Sequence, residues 1–378
     1  MLVLPPLSLY IHIPWCVQKC PYCDFNSHGQ QNVLPQQDYV DALLSDLRAD
    51  MHYVQGRQLD TIFIGGGTPS LFDAAQIARL LEGVSTLIPF NKEIEITMEA
   101  NPGTLEHDDF KAYQQAGVTR LSIGVQSFAK EKLNLLGRIH GEEEAKTAAL
   151  KAAQSGYNSF NIDLMHGLPN QSFDEAMSDI ETAAKLNPPH LSWYQLTIEP
   201  NTLFHSKPPQ LPDDEALWEI YEQGHKKLAA LGYEQYEISA YAKPGFQCRH
   251  NINYWKFGDY LGIGCGAHGK ITDIEKNKIL RTVKIKHPKG YLAAEDYTFD
   301  TTDIKDEDRA LEYLMNRLRL MHPIPKQEFE QRTGVKRESI QAGIEQAINK
   351  GLLTDTPSQW ILTPKGHMFV NELLAQFC

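Results

Sequence analysis

The chain has 378 residues, is 42% hydrophobic and 10% aromatic, and carries a formal charge of −12. Such a length and composition imply a globular protein of two domains, or of one large domain with an appendage. The negative balance argues against general affinity for nucleic acid or an anionic membrane, since both rest on clustered Lys and Arg, and no apolar run approaches the ~18 residues of a transmembrane segment.

The first stretch, MLVLPPLSLYIHIP, is apolar but has no basic n-region and contains two adjacent prolines, so it reads as a strand rather than a signal peptide. Cys16, Cys20 and Cys23 follow it directly, and Phe25 stands two positions beyond the third thiol. Cys248, Cys265 and Cys378 are scattered. The trio is too closely spaced for an ordinary disulfide framework, which points to a reducing cytoplasm and a metal or cluster role. On spacing alone two readings stay open. One is a zinc site completed by His12 or His28. The other is an iron–sulfur cluster with one iron free of protein ligands, where a small molecule can bind.

Downstream, β-rich runs alternate with segments of helical period. The runs are SLYIHI, TIFIGGG, EIEITME, RLSIGVQ, FNIDLMHG, LSWYQLT and YEISAY; the helices expected between them include YVDALLSDLRADMHYV, DAAQIARLLEGVSTL, DDFKAYQQAG, EEEAKTAALKAAQSG, SFDEAMSDIETAAKL and DEALWEIYEQGHKKLAALG. This alternation predicts an α/β fold over 1–245, a parallel sheet with right-handed crossovers closing into a full or partial (β/α) barrel. Gly65 to Thr68, Glu99 and Asn101, Gln126, Asp163 and Thr197 each fall at or near the C-terminal end of a strand. In a parallel barrel those ends form the mouth where ligands bind, and the cysteine loop opens there too. Residues 246–300 break the pattern: a glycine- and aromatic-rich stretch, then a charged segment, 271–300, read as a connection. Residues 301–378 read as a small, mostly helical domain closing in a hairpin and a last helix, a winged-helix-like arrangement. Its balanced charge favours a protein-contact or lid role over DNA binding.

The CxxxCxxC spacing, Tyr22 between the last two cysteines and the glycine run after the second strand resemble the radical S-adenosylmethionine superfamily. That resemblance implies a partial (β/α) barrel in which Cys16, Cys20 and Cys23 hold a [4Fe-4S] cluster and S-adenosylmethionine chelates the fourth iron. YIHIPWC, GGGTPS, MEANPG, RLSIGVQSF, GRIH, NIDLMHGLPNQ and YLGIGCGAHG are similar, more narrowly, to the anaerobic coproporphyrinogen oxidase group. By that likeness Tyr10 flanks the cofactor site, and Gly66, Gly67 and Thr68 contact the methionine moiety. Glu99, Gln126, Arg138 and Asp163 contact other parts of S-adenosylmethionine, Asp163 being suited to ribose hydroxyls and Arg138 to a carboxylate.

Within the group the oxidases carry a further cysteine two positions after the third and a sizeable segment ahead of the motif. Here Phe25 takes the cysteine's place and fifteen residues precede Cys16. Both departures resemble the haem-chaperone branch, as does HNxxYW at His250, Asn251, Tyr254 and Trp255. An imidazole ligates haem iron and aromatic faces suit a porphyrin; Cys248 and His268 are weaker alternative ligands, and Cys265 is most simply a small residue in a tight turn. The resemblance implies a cytoplasmic protein with haem as cargo, delivered to apo-haemoproteins such as membrane respiratory enzymes, and a homodimer when cluster-loaded. The alternative is an oxygen-independent coproporphyrinogen III oxidase, or another radical enzyme acting on a tetrapyrrole.

Overall fold

A computed structural model describes residues 1–29, 33–104 and 109–377. Asp108, the expected start of the helix DDFKAYQQAG, and Cys378 lie outside them. The strands of the main sheet are β1 (Leu7–Ile13), β2 (Leu59–Gly66), β3 (Phe90–Ala100), β4 (Arg120–Gln126), β5 (Ser159–His166), β6 (His190–Gln195), β7 (Glu234–Glu237), β8 (Ala240–Ala242), β9 (Asp259–Ile263), β10 (His268–Asp273), β11 (Lys278–Lys284) and β12 (Thr298–Asp303). They form one twelve-stranded sheet in the order β12-β11-β10-β9-β1-β2-β3-β4-β5-β6-β8-β7. From β9 to β6 every neighbouring pair is parallel, which gives the open, partial barrel.

Local chemistry explains the elements. Leu7, Leu9, Ile11 and Ile13 of β1 are buried on one face and Ser8 and His12 on the other, as expected of a parallel strand covered on both sides. Helix α1 (Gln36–Ala49) buries Tyr39, Val40, Leu43, Leu44 and Leu47, a stripe of period 3.6 that packs on the sheet. Along the same outer face run α2 (Ala74–Leu87), α3 (Phe110–Gln115), α4 (Glu142–Gln154), α5 (Phe173–Lys185) and α6 (Asp214–Ala230), the helices expected from the sequence. Ser172 and Glu175 close a reciprocal capping box at the start of α5.

Two expectations are corrected. YEISAY is not one strand: Glu237 and Ala240 belong to the antiparallel hairpin β7–β8, whose turn is tightened by Ser239 N–H donating to Glu237 Oε1 at 2.7 Å. Residues 271–300 are not a mere connection, because β10, β11 and the start of β12 carry the sheet onward beyond β9, which itself pairs in parallel with β1. The glycines that hide β9 from a propensity reading are required by packing. A Cβ on Gly262 would stand 2.0 Å from the carbonyl oxygen of His268 on the adjoining strand.

At the C-terminal end, helices Arg309–Arg317, Lys326–Thr333 and Gln341–Asn349 precede a hairpin of Leu353–Asp355 and Gln359–Leu362, with Ile324–Pro325 as a third strand. This is the winged-helix-like arrangement. Its core of Tyr313, Phe329, Ile344 and Trp360 is continuous with Leu2, Phe257 and Ile279, so the small unit shares a hydrophobic core with the barrel's near edge.

That edge is also held by buried charge. Lys284 on β11 meets Asp46 at 2.7 Å and Asp50 at 2.8 Å, at the end of α1. Replacing it, Lys284→Met, strands two buried carboxylates and is expected to lower the unfolding free energy at neutral pH by about 3–5 kcal/mol in a denaturant titration. Burial already raises both carboxyls. Without the lysine the folded state binds more protons than the unfolded one, so the deficit should shrink as pH falls towards ~4. A variant as stable as the parent at every pH would show that the cation is dispensable.

Candidate functional site

Two cavities open at the C-terminal mouth of the barrel. The first, of about 540 Å³, is lined by Cys16, Cys20, Cys23, Gly66, Gly67, Thr68, Glu99, Asn101, Gln126, Arg138 and Asp163. Residues singled out from separate strand ends therefore do converge. Thr197 does not join them: it is exposed and its hydroxyl donates to Glu199 at 2.7 Å. Tyr10 lines the second cavity, of about 610 Å³, and its hydroxyl donates to His12 Nδ1 at 2.9 Å.

The glycine run is explained first by the chain's own backbone. Gly67 N–H donates to Ile13 O and Thr68 N–H to Trp15 O, both at 2.7 Å, so the run lies flush against the segment leading into Cys16. A Cβ on Gly67 would stand 2.4 Å from Trp15 O; one on Gly66, whose φ is +112°, would stand 2.5 Å from the His12 ring. His12 is bonded at both nitrogens, to the Tyr10 hydroxyl and to Asn26 O at 2.9 Å. It is thus unavailable as a zinc ligand, and among the described residues no three His, Cys, Asp or Glu side chains converge on a single-ion site. Three thiols, half-buried and facing a cavity that also holds a basic and two acidic side chains, fit a cluster with one iron open to a ligand.

Electrostatics sharpen the site. Burial raises the Cys16 thiol, opposed by the Thr68 and Ser27 hydroxyls, and raises Cys23, whose Sγ lies 3.7 Å from Ser27 Oγ. Arg138 Nη1 is 3.7 Å from Cys20 Sγ and Nη2 donates to Gly124 O at 2.5 Å. Burial would lower that guanidinium, but Tyr22 and Cys20 more than reverse it. Glu99 accepts from Gly66 N–H at 3.0 Å, and burial, then the nearby Asp163, push its carboxyl up to about 8. Asp163 is also raised by burial, although Asn161 Nδ2 donates to it at 2.7 Å and Ser122 Oγ at 3.1 Å. The cavity thus offers two carboxyls whose ionised forms lack a full complement of positive charge, which suits a cationic ligand.

Helix α7 (Arg249–Trp255) carries the HNxxYW residues and stands between the cavities. His250 and Tyr254 line the second; Asn251 and Trp255, one position on, line the first. Both pairs are spaced i, i+4 and so share a helix face. His250 Nδ1 is 2.8 Å from Thr61 Oγ1, which itself donates to Ser8 Oγ, as Asn253 Nδ2 also does. Thr61 is left to accept from Nδ1–H, so Nε2 keeps its lone pair. Burial, with Arg120 nearby, lowers this imidazole to about 3, so it is neutral. His268 lies exposed at the rim of the second cavity. Cys248 lines neither cavity: its Sγ is 3.6 Å from Glu95 Oε1 and burial pushes the thiol up to about 12. Cys265, in a turn between Gly264 and Gly266, donates to Lys286 O at 2.8 Å, the small buried residue expected.

Several lining residues were missed by sequence reasoning. Tyr194 donates to Gln126 Oε1 at 2.7 Å, and Ser122 and Ser192 flank Asp163. Alternation along RLSIGVQ and LSWYQLT was a usable signal for these, since it turns them to the inner face. Arg319 had none. It comes from the C-terminal unit, its guanidinium 4.5 Å from the Trp255 ring and in the first cavity's wall.

Residues 10–182 match the radical SAM superfamily and residues 304–369 the HemN C-terminal domain. The fold is that of the radical SAM coproporphyrinogen III oxidase HemN from Escherichia coli: TM-score 0.83, covering 99% of this chain and 90% of that one, at 24% identity. The heme chaperone HemW of Escherichia coli strain K12 is 58% identical over 100% of this chain and 99% of its own length. That of Haemophilus influenzae is 56% identical over 99% and 98%, and that of Bacillus subtilis 33% over 98% of each. The chain belongs to the HemW family within the radical SAM superfamily.

Proposed function

We propose that the protein is a haem chaperone that holds a [4Fe-4S] cluster through Cys16, Cys20 and Cys23, binds S-adenosylmethionine in the first cavity and carries haem against helix α7. The observation that carries this reading is the helix itself, with His250 neutral, its Nδ1 occupied by Thr61 and its Nε2 free at the wall of a second cavity. A metal-binding imidazole is commonly fixed this way, through its other nitrogen. Tyr254 adds an aromatic face. When bound, the cluster supplies one-electron reducing power beside the sulfonium. The chain's own part is to position that ligand: Gly66, Gly67 and Thr68 present backbone, Glu99 and Asp163 face its positive charge, Arg138 takes a carboxylate and Gln126 a polar edge. Tyr10 acts one layer back, through His12. Delivery to apo-haemoproteins such as respiratory enzymes, action in the cytoplasm and dimerisation on cluster loading complete the proposal; no helix among the described residues is long and apolar enough to cross a membrane.

The second reading, a radical enzyme acting on a tetrapyrrole, is favoured by the intact cofactor cavity. Phe25 is 57% exposed and lines both cavities at the position where the oxidases carry their extra cysteine. One paired assay on anaerobically reconstituted protein separates the readings: haem titration by absorbance, and incubation with reductant, S-adenosylmethionine and coproporphyrinogen III. Stoichiometric haem binding without protoporphyrinogen formation, weakened in His250→Ala with the cluster spectrum intact, is expected. Turnover without haem retention would overturn the chaperone reading.

Replacing all three cysteines, Cys16→Ala, Cys20→Ala and Cys23→Ala, should abolish iron and sulfide retention, and unchanged iron content would refute the ligand assignment. In the parent, burial holds Cys16 and Cys23 protonated, so cluster assembly should release protons and strengthen as pH rises. S-adenosylmethionine affinity should likewise rise with pH and level off above about 8, because a cationic ligand must first displace the Glu99 proton. Glu99→Gln should flatten that profile in calorimetric titrations; an unaltered pH dependence would remove Glu99 from the site.

A further inference from the structure

The two cavities adjoin at the cysteine loop, where Phe25 and Ser27 line both, and the last turn of α7 bridges them. Tyr254 belongs to the second cavity and Trp255 to the first, yet their rings meet edge to face with centroids 4.8 Å apart. Beyond Trp255 stands Arg319, its guanidinium 4.5 Å from the centre of the indole ring and in the wall of the first cavity. The backbone leaving Arg319 is laced to the barrel: Leu320 forms an antiparallel bridge with Glu237, and Met321 N–H donates to Tyr236 O at 3.0 Å. Among the described residues the Arg319 side chain nevertheless makes no hydrogen bond and no ion pair. Its Nε is enclosed, whereas Nη1 and Nη2 stay accessible and free of partners. The neighbouring arginines are committed. Arg317 pairs with Glu328 at 2.9 Å and donates to two backbone carbonyls. Arg281, at 3.0 Å from the Tyr260 hydroxyl of the second cavity, is ion-paired to Glu312. Arg138 is bonded to Gly124 O at the cluster end of the first cavity. Glu237 feels the charge of Arg319, but its Oε1 already accepts from Ser239 N–H at 2.7 Å.

We propose that Arg319 binds a carboxylate of the haem cargo, receiving one propionate at the end of α7 where the two cavities adjoin. This rests on the haem-carrying reading above and adds to it an anionic contact supplied by the C-terminal unit. A guanidinium held against an aromatic face, with two Nη groups unspent at a cavity wall, has the planar fork that matches a carboxylate. With the macrocycle against Tyr254, a propionate that follows the Tyr254–Trp255 pair ends at this fork. S-adenosylmethionine also carries a carboxylate, but Arg138 stands at the cluster end for that one. Cargo is then gripped by both units of the chain, and a porphyrin without free carboxylates is discriminated against.

The test compares ferric haem with its dimethyl ester, in which both propionates are esterified, on full-length protein with its cluster reconstituted. Dissociation constants are read by absorbance titration, and wild type should prefer haem to the ester. Arg319→Met should weaken haem binding roughly tenfold to a hundredfold and leave the ester unchanged, so that the preference collapses. Arg319→Lys, which keeps the charge but loses the fork, should fall between the two. S-adenosylmethionine affinity, measured by calorimetry on the same variants, should stay at the wild-type value, which shows that the fold and the first cavity are intact. A preference for haem over the ester that survives in Arg319→Met would overturn the proposal and leave the chaperone reading standing. Equal weakening of both porphyrins would do the same, since it reports lost packing, and so would a loss confined to S-adenosylmethionine, which would give Arg319 to that ligand's carboxylate. Failure of wild type to bind either porphyrin would strike the chaperone reading itself, and the proposal with it.

Discussion

The approach of Gly67 to the backbone of Ile13 and Trp15 is the constraint on which the rest depends. Two adjacent parallel strands deliver their C-terminal ends to the same height, and there β2's exit is sewn to β1's exit by two 2.7 Å backbone hydrogen bonds. No side chain fits between them, since a single methyl at Gly67 would overlap Trp15 O. The consequence is that the segment entering Cys16 and the Gly66–Thr68 backbone form one rigid lip. An iron–sulfur site assembled on a loop gains its geometry from such support, because ligands on an unsupported loop would have to be ordered at the moment of binding.

Around that lip the protein keeps unbalanced polarity. Glu99 and Asp163 are half-buried with carboxyls raised by desolvation, and Arg138 faces Cys20 and the carbonyl of Gly124. Desolvation disfavours the charged form of each carboxyl even though both accept hydrogen bonds. Their convergence from separate strand ends on one cavity supports the proposed ligand site. Helix α7 gives the arrangement a second compartment, with residues one position apart serving different cavities.

The segment that resembles a connection turns out to brace the cysteine loop. Strand β9 supports β1 from the side opposite β2. Asn26 Nδ2 donates to Cys265 O and to Lys286 O, each at 2.9 Å, while Asn26 O accepts from His12. Tyr39 on α1 bonds both sides of the same junction, its hydroxyl donating to His12 O at 2.7 Å and accepting from Cys265 N–H at 2.8 Å. The loop between the first strand and helix is therefore held by residues more than two hundred positions away.

The sequence by itself determined the parallel α/β core, its helices, the winged-helix-like end and the convergence of cysteines, glycines and acids at one mouth, because each leaves a local mark: a period, a spacing, or a residue type at a strand end. Glu99, Gln126 and Asp163 were legible for that reason, whereas the HNxxYW residues were picked out only through the resemblance and their helix was not foreseen. Tertiary structure alone decided that β9 to β12 extend the sheet, that His250 and Asn251 face different cavities, that Cys248 is buried against Glu95 away from both, and that Arg319 reaches the mouth from the far domain. The physical reason is range. Periodicity and spacing report what neighbours along the chain share, whereas the tautomer of His250 and the partners of Asn26 are set by groups that meet only once the sheet has brought them together.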